Sequence, residues 1–590
     1  MTPENLPFNV APVGHLPLIR AAIDDLGITA VINAHCPKHA QARVSDADCM
    51  VLLLLNILSG RVALHRMNDW LDRTDAELLL GPDRPAEAFH DTRLGVALDH
   101  LHAAGVDTIL GDIVDGYLRR PGLPLTFSVH QDTTSISVFG AYEDAEGPVP
   151  TFGFSKDHRP DLRQLIFGLT LHGATAVPLL GTVFDGNTSD VTANRHHLAE
   201  IAKRLPAPEE VTFVGDCKLI DAETVAQILD LRMHFISLLP DTFDLRRRVV
   251  EATWEAEPDV TRWPELLVRP GRTKADPEDQ WRGWSAEHPF PLRRYDAEKN
   301  AVTETRDLRF LVVYSTSAQR RFDEALEPRI KKEREAITQI EARIVRQPLS
   351  CREDAARVAE RHRADLRFHT AQPVIEAVER PIKRAHAGRP KRDEPTPTET
   401  VWIVRLALQR DDDAIAVSRR VASCFVLLTD HMDREAWPDV EVLATYKRQH
   451  IVEGTTGFHW LKGPAAVAPV FLKTPARISA LGLVLLLALM VRNHIQFSLR
   501  SALKDNDDTL QQPFTKKQIQ NPTTEVALVH FGGMCTYQLR DVDGSTRRSF
   551  SELRPEAAKI LRLLGFDADI FVIPPNGRAR RRENRGVSSA

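Results

Sequence analysis

The sequence predicts a mixed α/β fold, and three observations carry that prediction. From Leu125 onward, "LTFSVHQDTTSISVFG", "RQLIFGLTLHG" and "AVPLLGTVFDG" alternate with period two or run apolar, the pattern of strands separated by polar turns. The order then becomes helix, strand, helix, strand, with "GNTSD" opening a helix over about Val191 to Leu205, followed by "EVTFVGD", "AETVAQILDL" and "MHFISLLP". Before these, the first 120 or so residues read as helices alone.

Each segment has its own justification. "LPLIRAAIDDLGI" begins a helical domain expected over residues 1–120, and Ser45 with Asp46 supplies capping chemistry for "SDADCMVLLLLNILSG", which Gly60 ends. "RVALHRMNDWL" starts another helix. A helix-turn-helix arrangement with Arg61 and Arg66 near its second helix is one reading, and plain packing of two helices is the commoner one. Residues 121–240 hold a three-stranded antiparallel meander and the alternating segments after it. Residues 241–440 interrupt this core with a different texture. They hold a Trp- and Pro-rich irregular part (Trp254, Trp263, Trp281, Trp284), a strand "LRFLVVYS", and charged helices over Ala318 to Arg346 and Glu353 to Arg384 that form a solvated hairpin. An exposed loop "HAGRPKRDEPTPTE" and strands "VWIVRLALQ" and "VASCFVLLTD" complete the interruption. Residues 441–570 return to the core, and 571–590, with "NGRARRRENRG", read as a disordered basic tail.

Composition limits the function classes. A chain of 590 residues with 43% hydrophobic side chains supports two to four globular domains, and a net charge of −5 leaves any nucleic-acid surface to local clustering. Cys36, Cys49, Cys217, Cys351, Cys424 and Cys535 lack paired spacing, and the N-terminus lacks a basic-then-apolar signal pattern, so a reducing cytoplasm is the expected location. The most apolar stretch, Ile478 to Val491, spans 14 residues against the roughly 20 a bilayer requires, and is expected to be a buried core helix with no membrane partner. Cys36, His39 and Cys49 are spaced too irregularly for a zinc site, and His196-His197 reads as a helix surface.

Three carboxylates stand out. Asp132 sits inside a strand, where a charge is costly without a partner, and Asp216 closes an apolar strand, where open sheets carry site residues. Glu453 is the only carboxylate of "YKRQHIVEGTTGFHWLK". Taken singly, each aspartate also reads as a turn or cap. An Asp on the first strand, an Asp after the fourth and a Glu on a later helix resemble the arrangement by which ribonuclease H-like enzymes gather carboxylates around two hard divalent ions such as magnesium.

With "DTTSISVFG", "GFSKDHRPDLRQ", "GDCK", "YKRQHIVEG" and "PVFLKTPARISAL", the chain resembles the DDE transposases of bacterial insertion sequences, in the branch marked by a Tyr-x2-Arg-x3-Glu-x6-Lys helix. The resemblance implies a ribonuclease H-like core with a mixed five-stranded sheet, a large insertion between the fifth strand and the Glu-bearing helix, and an N-terminal domain that binds DNA ends. It implies Asp132, Asp216 and Glu453 as the catalytic, metal-binding triad for two Mg2+ ions, with Mn2+ able to substitute. The activity implied is cleavage at element ends and strand transfer into double-stranded target DNA by a homodimer in a synaptic complex. Lys156, His158, Arg159, Tyr446, Arg448, His450 and Lys462 are the expected DNA contacts. A metal-dependent nuclease without strand transfer, or a non-catalytic DNA-binding protein derived from a transposase, are the alternatives.

Two departures from the signature matter. Gln449 stands where the pattern has Arg, with Arg448 one place early, and Lys462 follows Glu453 by nine positions instead of seven. At about 100° per residue, seven positions return to within about 20° of the start, whereas nine point to the opposite side. Gly454 to Gly457 are therefore expected to break or bulge the helix and restore the register of Lys462. Close packing of Gly457 against a neighbouring helix with Lys462 merely solvated, or a copy that has drifted from the pattern, are the alternatives. On an uninterrupted helix Tyr446, Gln449, His450 and Glu453 share one face.

Overall fold

In a computed structural model, the described residues are 8–123, 126–138, 148–153, 159–205, 207–271, 276–296, 298–382, 398–463, 474–515, 517–540 and 546–577. The chain divides into two compact units, one of residues 1–237, 291–304 and 444–590, the other of 238–290 and 305–443.

The first unit begins with β1 (Phe8–Pro12) and the helices α1 (Leu16–Asp25), α2 (Ile28–His35), α3 (Asp46–Leu55), α4 (Met67–Asp72), α5 (Ala76–Leu80), α6 (Asp91–Ala104) and α7 (Val106–Leu118). Ser45 caps α3 in a reciprocal box with Asp48, at 3.0 and 2.9 Å. A π-turn over Asn56–Gly60 follows, Arg61 takes a left-handed φ of 48°, and the two helical arms meet at 99°. The expected break at Gly60 is present. The Arg61 guanidinium lies over the Trp460 ring at 5.9 Å, packed against the fold.

The sheet comes next: β2 (Phe127–Val138), β3 (Arg163–His172), β4 (Pro178–Phe184), then α8 (Asp190–Arg204), β5 (Val211–Gly215), α9 (Ala222–Asp230) and β6 (His234–Leu238). Within this unit the strand order is β4-β3-β2-β5-β6. β2, β3 and β4 are antiparallel, whereas β5 runs parallel to β2 and β6 parallel to β5. Helix α8 covers one face, where Thr133 bonds Asp190 and the Thr170 hydroxyl bonds His197 at 2.7 Å. Only half of the expected His196-His197 surface holds: His196 is exposed, but His197 is fully buried against the sheet. By strand alternation the even-numbered residues His130, Asp132, Thr134 and Ile136 point to the other face.

The second unit corrects two expectations. It contains α10 (Asp244–Ala256), β7 (Glu265–Arg269), most of β8 (Asp279–Tyr295) and of β9 (Ala301–Ser315), α11 (Thr316–Arg346), α12 (Arg352–Ala364), β10 (His369–Pro381), β11 (Thr398–Arg410), α13 (Asp412–Ala422) and β12 (Cys424–Thr429). The Trp-rich part is regular: Trp254 lies on α10, Trp281 and Trp284 on β8, and buried Trp263 packs 5.2 Å from Trp254 with its indole N–H on the Glu257 carbonyl. The second charged helix stops at Ala364, and β10 pairs antiparallel with β11 where helix to Arg384 was expected. Charges mislead there because most of β10 is exposed, with Ala371 and half-buried Ile375 turned to the apolar cluster under α11 and α12. "VASCFVLLTD" divides between the end of α13 and β12.

The remainder is α14 (Asp439–Lys447), α15 (His450–Glu453), α16 (Phe458–Leu461), α17 (Pro475–Asp505), β13 (Leu510–Gln511), β14 (Gln518–Ile519), α18 (Thr524–Val529), β15 (Cys535–Arg540), β16 (Thr546–Phe550) and α19 (Pro555–Leu564). Strand β1 pairs antiparallel with β15, and β15 with β16. Arg548 and Asp75, each almost without solvent exposure, form an ion pair at 3.0 Å that fastens this small sheet to α5. The apolar stretch expected at Ile478 to Val491 belongs to a helix of 31 residues, long and apolar enough to cross a membrane by composition, with 89% of its apolar window buried inside the fold. It packs on α1, α3, α6, α7, β4 and α19. Most of the loop expected at "HAGRPKRDEPTPTE" and of the basic tail lies outside the described residues.

Candidate active site

Two strands that part from each other bring the aspartates together. Parallel pairing of β2 with β5 runs from Phe127 opposite Val211 to His130 opposite Val214, where the strands are about 4.8 Å apart, and then ends. Two residues beyond that last pair lie Asp132, within β2, and Asp216, just past the end of β5. Each carboxylate is fixed by backbone amides: Asp132 accepts from Thr133 N at 2.7 Å, and Asp216 accepts from Lys218 N at 2.9 Å as cap of the turn Cys217–Leu219. The Ser237 hydroxyl of β6 holds the Asp216 carbonyl at 2.7 Å. Both aspartates are half-buried.

Glu453 arrives by an interrupted path. Continuous helix was expected through "YKRQHIVE", but α14 ends at Lys447 and α15 begins at His450. Between them the bonds tighten to three-residue spacing, with Gln449 N on Tyr446 O at 2.9 Å, Ile451 N on Arg448 O at 2.8 Å and Val452 N on Gln449 O at 3.1 Å. The shared face expected for Tyr446, Gln449, His450 and Glu453 is therefore split: Gln449 is buried, Tyr446 half-buried, and His450 and Glu453 exposed. Arg448 is exposed as well, and His450 bonds the Lys447 carbonyl at 2.6 Å.

Buried Gln449 is the anchor. Its amide nitrogen donates to the Gln131 carbonyl at 2.7 Å, and its amide oxygen meets His130 Nδ1 at 3.1 Å. His130 Nε2 in turn meets the Ser128 hydroxyl at 3.0 Å. Burial holds the His130 imidazole down at about 3, so the ring is neutral: Nδ1–H donates to Gln449 and Nε2 accepts from Ser128. Tyr446 ties the other side. Its phenol is pushed up first by burial and then by the negative groups facing it, Asp216, Cys217 and Glu453.

The chain then breaks at the glycines as expected. Helix α15 stops at Glu453, Gly457 N bonds Gly454 O at 3.0 Å, and α16 starts at Phe458. A Cβ on Gly457 would lie 1.9 Å from the Val452 carbonyl oxygen, so only glycine fits. The Asn493 amide of α17 holds the Thr456 carbonyl at 2.8 Å. Lys462, just past α16, lines a cavity together with Thr134, Ile136 and Phe458. It therefore stands over the even-numbered row of β2 that includes Asp132.

Among the described residues, no group of three or more His, Cys, Asp or Glu is close enough to hold a metal ion. Helix α15, which ends at Glu453, packs on β2, the strand that carries Asp132, and the Tyr446 phenol feels both Asp216 and Glu453. Lys156 and His158 lie outside the described residues. Arg159 is exposed and doubly bonded to Asp161, at 2.9 and 2.8 Å. Sequence reading missed Ser128, His130 and the part played by Gln449. The available signal was "SVHQD", a run of polar side chains in a strand with no solvent to meet them.

A family described as a domain of unknown function (DUF4277) matches residues 8–115, the helical N-terminal region. No curated protein matches the chain. Among solved structures, the cryo-EM structure of a piggyBac transposase synaptic complex with hairpin DNA is similar at 10% identity, over 83% of this chain and 74% of that one, with a TM-score of 0.30. That likeness is too loose to carry an argument.

Proposed function

We propose that this chain is a DNA transposase with a ribonuclease H-like core, cutting DNA at the ends of an insertion sequence and joining the freed ends to target DNA. The observation that carries the reading is the strand order β4-β3-β2-β5-β6, with Asp132 and Asp216 where two parallel neighbours part and the Glu453 turn docked on the same strand.

Asp132 and Asp216 offer anionic oxygen donors, the type that a hard, octahedral magnesium ion takes, and they would hold the ions with Glu453 completing the second site. A bound pair of such ions supplies activation of the attacking hydroxyl and stabilisation of the leaving oxygen. The protein's own part is positioning. Lys462 presents an ammonium on the Asp132 face to a DNA phosphate, exposed Arg448 and His450 contact the backbone beside it, and the Tyr446 phenol, protonated at ordinary pH, donates a hydrogen bond. Lys156, His158 and Arg159 grip the duplex further out, with Arg159 exchanging Asp161 for phosphate. Such contacts position DNA without reading its sequence. Two copies of the chain bring two ends together.

The test is cleavage, with magnesium, of DNA carrying the element's own ends. The reading predicts cutting by the full-length protein and none by Asp132→Ala; equal cutting by both sinks it. A pre-cut 3′ end offered with target DNA then separates transposase from simple nuclease. A second reading, a DNA-binding protein without catalysis, is favoured by the lack of a closed three-carboxylate set among the described residues. It predicts end binding with no cutting by either protein.

A further inference from the structure

We propose that Gln449 is a positioning residue that sets the Glu453 turn against Asp132, and that glutamine is the residue this site requires there. The inference rests on the reading of Asp132 and Glu453 as site carboxylates.

Three hydrogen bonds run in series through buried groups: Ser128 Oγ to His130 Nε2 at 3.0 Å, His130 Nδ1 to Gln449 Oε1 at 3.1 Å, and Gln449 Nε2 to Gln131 O at 2.7 Å. The series leaves β2, enters the helix and returns to β2. The clamp holds the carbonyl of the peptide that leads into Asp132 and the His130 ring, two residues before Asp132 on the same face. At the other end Gln449 opens α15, and Glu453 closes it four residues later, about one helical turn. A shift of the amide therefore moves both carboxylates relative to each other.

A neutral amide meets both demands with no change of ring tautomer and no added charge. It offers an acceptor to the His130 N–H and a donor to the Gln131 carbonyl from one planar group. Arginine has donors alone, so His130 would have to take its other tautomer, with Nδ1 accepting and Nε2–H donating to Ser128, and the guanidinium would bring in a buried charge without a partner acid. Glutamate has acceptors alone and abandons the Gln131 carbonyl. Methionine, of similar shape, abandons both. The arginine of the signature, placed here, would thus damage the site.

The experiment uses the full-length chain with Mn2+ as probe, its binding followed by electron paramagnetic resonance, beside thermal melting and cleavage of end-bearing DNA. Gln449→Met and Gln449→Arg are expected to raise the Mn2+ dissociation constant at least tenfold and to slow cleavage at least tenfold, at temperatures well below the melting point of each variant. Gln449→Glu, isosteric with the native residue, carries the same test where the arginine protein does not fold, and is expected to weaken Mn2+ binding at least threefold. Mn2+ binding within twofold of wild type in Gln449→Met or Gln449→Glu overturns the inference. Faster cleavage by Gln449→Arg than by wild type overturns it as well, since that result marks a copy that has drifted from a working arginine. A wild-type protein that neither binds Mn2+ nor cuts DNA fails on the functional reading itself, and the inference falls with it. Failure confined to the Gln449 variants removes the inference and leaves that reading standing.

Discussion

Replacing Gly457 with alanine tests how the turn that carries Glu453 is built. The added Cβ would lie 1.9 Å from the Val452 carbonyl oxygen, 2.6 Å from its carbon and 2.8 Å from its Cα, all backbone atoms of α15. Because 3.0 Å is a floor that such contacts essentially never cross, α15 and the Gly457 turn must separate by at least 1.1 Å. No rotamer change relieves this, since nothing in the contact is a side chain. Overpacking of this kind costs about 1–3 kcal/mol. With about 2–4 °C per kcal/mol for domains of 150–250 residues, the melting point should fall by a few degrees. The functional loss should be larger, because a misplacement of about 1 Å can cost about 100-fold in rate. The assays are thermal melting and magnesium-dependent cleavage of end-bearing DNA, with Thr455→Ala, at an exposed neighbour, as the control expected to match wild type. A Gly457→Ala protein with wild-type melting and wild-type cleavage refutes the reasoning.

Three further outcomes follow from buried groups elsewhere in the first unit. Asn493→Leu removes the donor from the carbonyls of Ala176 and Thr456, now held at 2.6 and 2.8 Å, and should cost about 1–3 kcal/mol for each in urea unfolding. A cost under about 0.5 kcal/mol in total contradicts it. Arg548→Met strands the Asp75 carboxylate and should cost about 3–5 kcal/mol, whereas the Asp75→Asn/Arg548→Met double variant should cost less than Arg548→Met alone; additive losses in the double-mutant cycle would count against the pairing. Burial holds His197 at about 3 and His172 at about 4, so the unfolded chain takes up protons near pH 6.5 that the folded chain refuses. Stability should therefore fall as pH drops from 6.5 toward 4, by up to about 1.4 kcal/mol per pH unit for each ring. Urea midpoints of His172→Gln between pH 7 and 5 should fall less steeply than those of wild type, and parallel profiles would show that the ring takes up its proton while folded.

Legibility in the sequence followed the range of the interactions. The five strands β2 to β6 and the helices between them were readable because each is coded by its own neighbours: alternation in "SVHQDTTSISV", apolar runs in "VTFVG" and "HFISL", and Ser189 as a cap. The glycine break after Glu453 was readable because a periodicity argument needs only local spacing. What escaped notice depends on distant partners. Gln449 looks like a lost arginine until its amide is seen on Gln131, 318 positions earlier. The tightened turn at Arg448-Gln449 has no breaker residue and coincides with the bond of that amide to the strand. The stretch after Ala364 was misread because mixed charges on an exposed hairpin resemble the outer face of a solvated helix.

The burial of α17 has a consequence for biosynthesis. Its neighbours α1, α3, α6, α7 and β4 all leave the ribosome before it does. At about 5–20 residues per second, roughly 20 to 80 s separate completion of α7 from completion of α17. During that interval the early helices expose the apolar faces that α17 will later fill, and α17 then emerges as a segment greasy enough to be mistaken for a bilayer anchor. Nascent chains of this protein should therefore need protection from aggregation during synthesis, and a stall before residue 505 should leave an aggregation-prone stub.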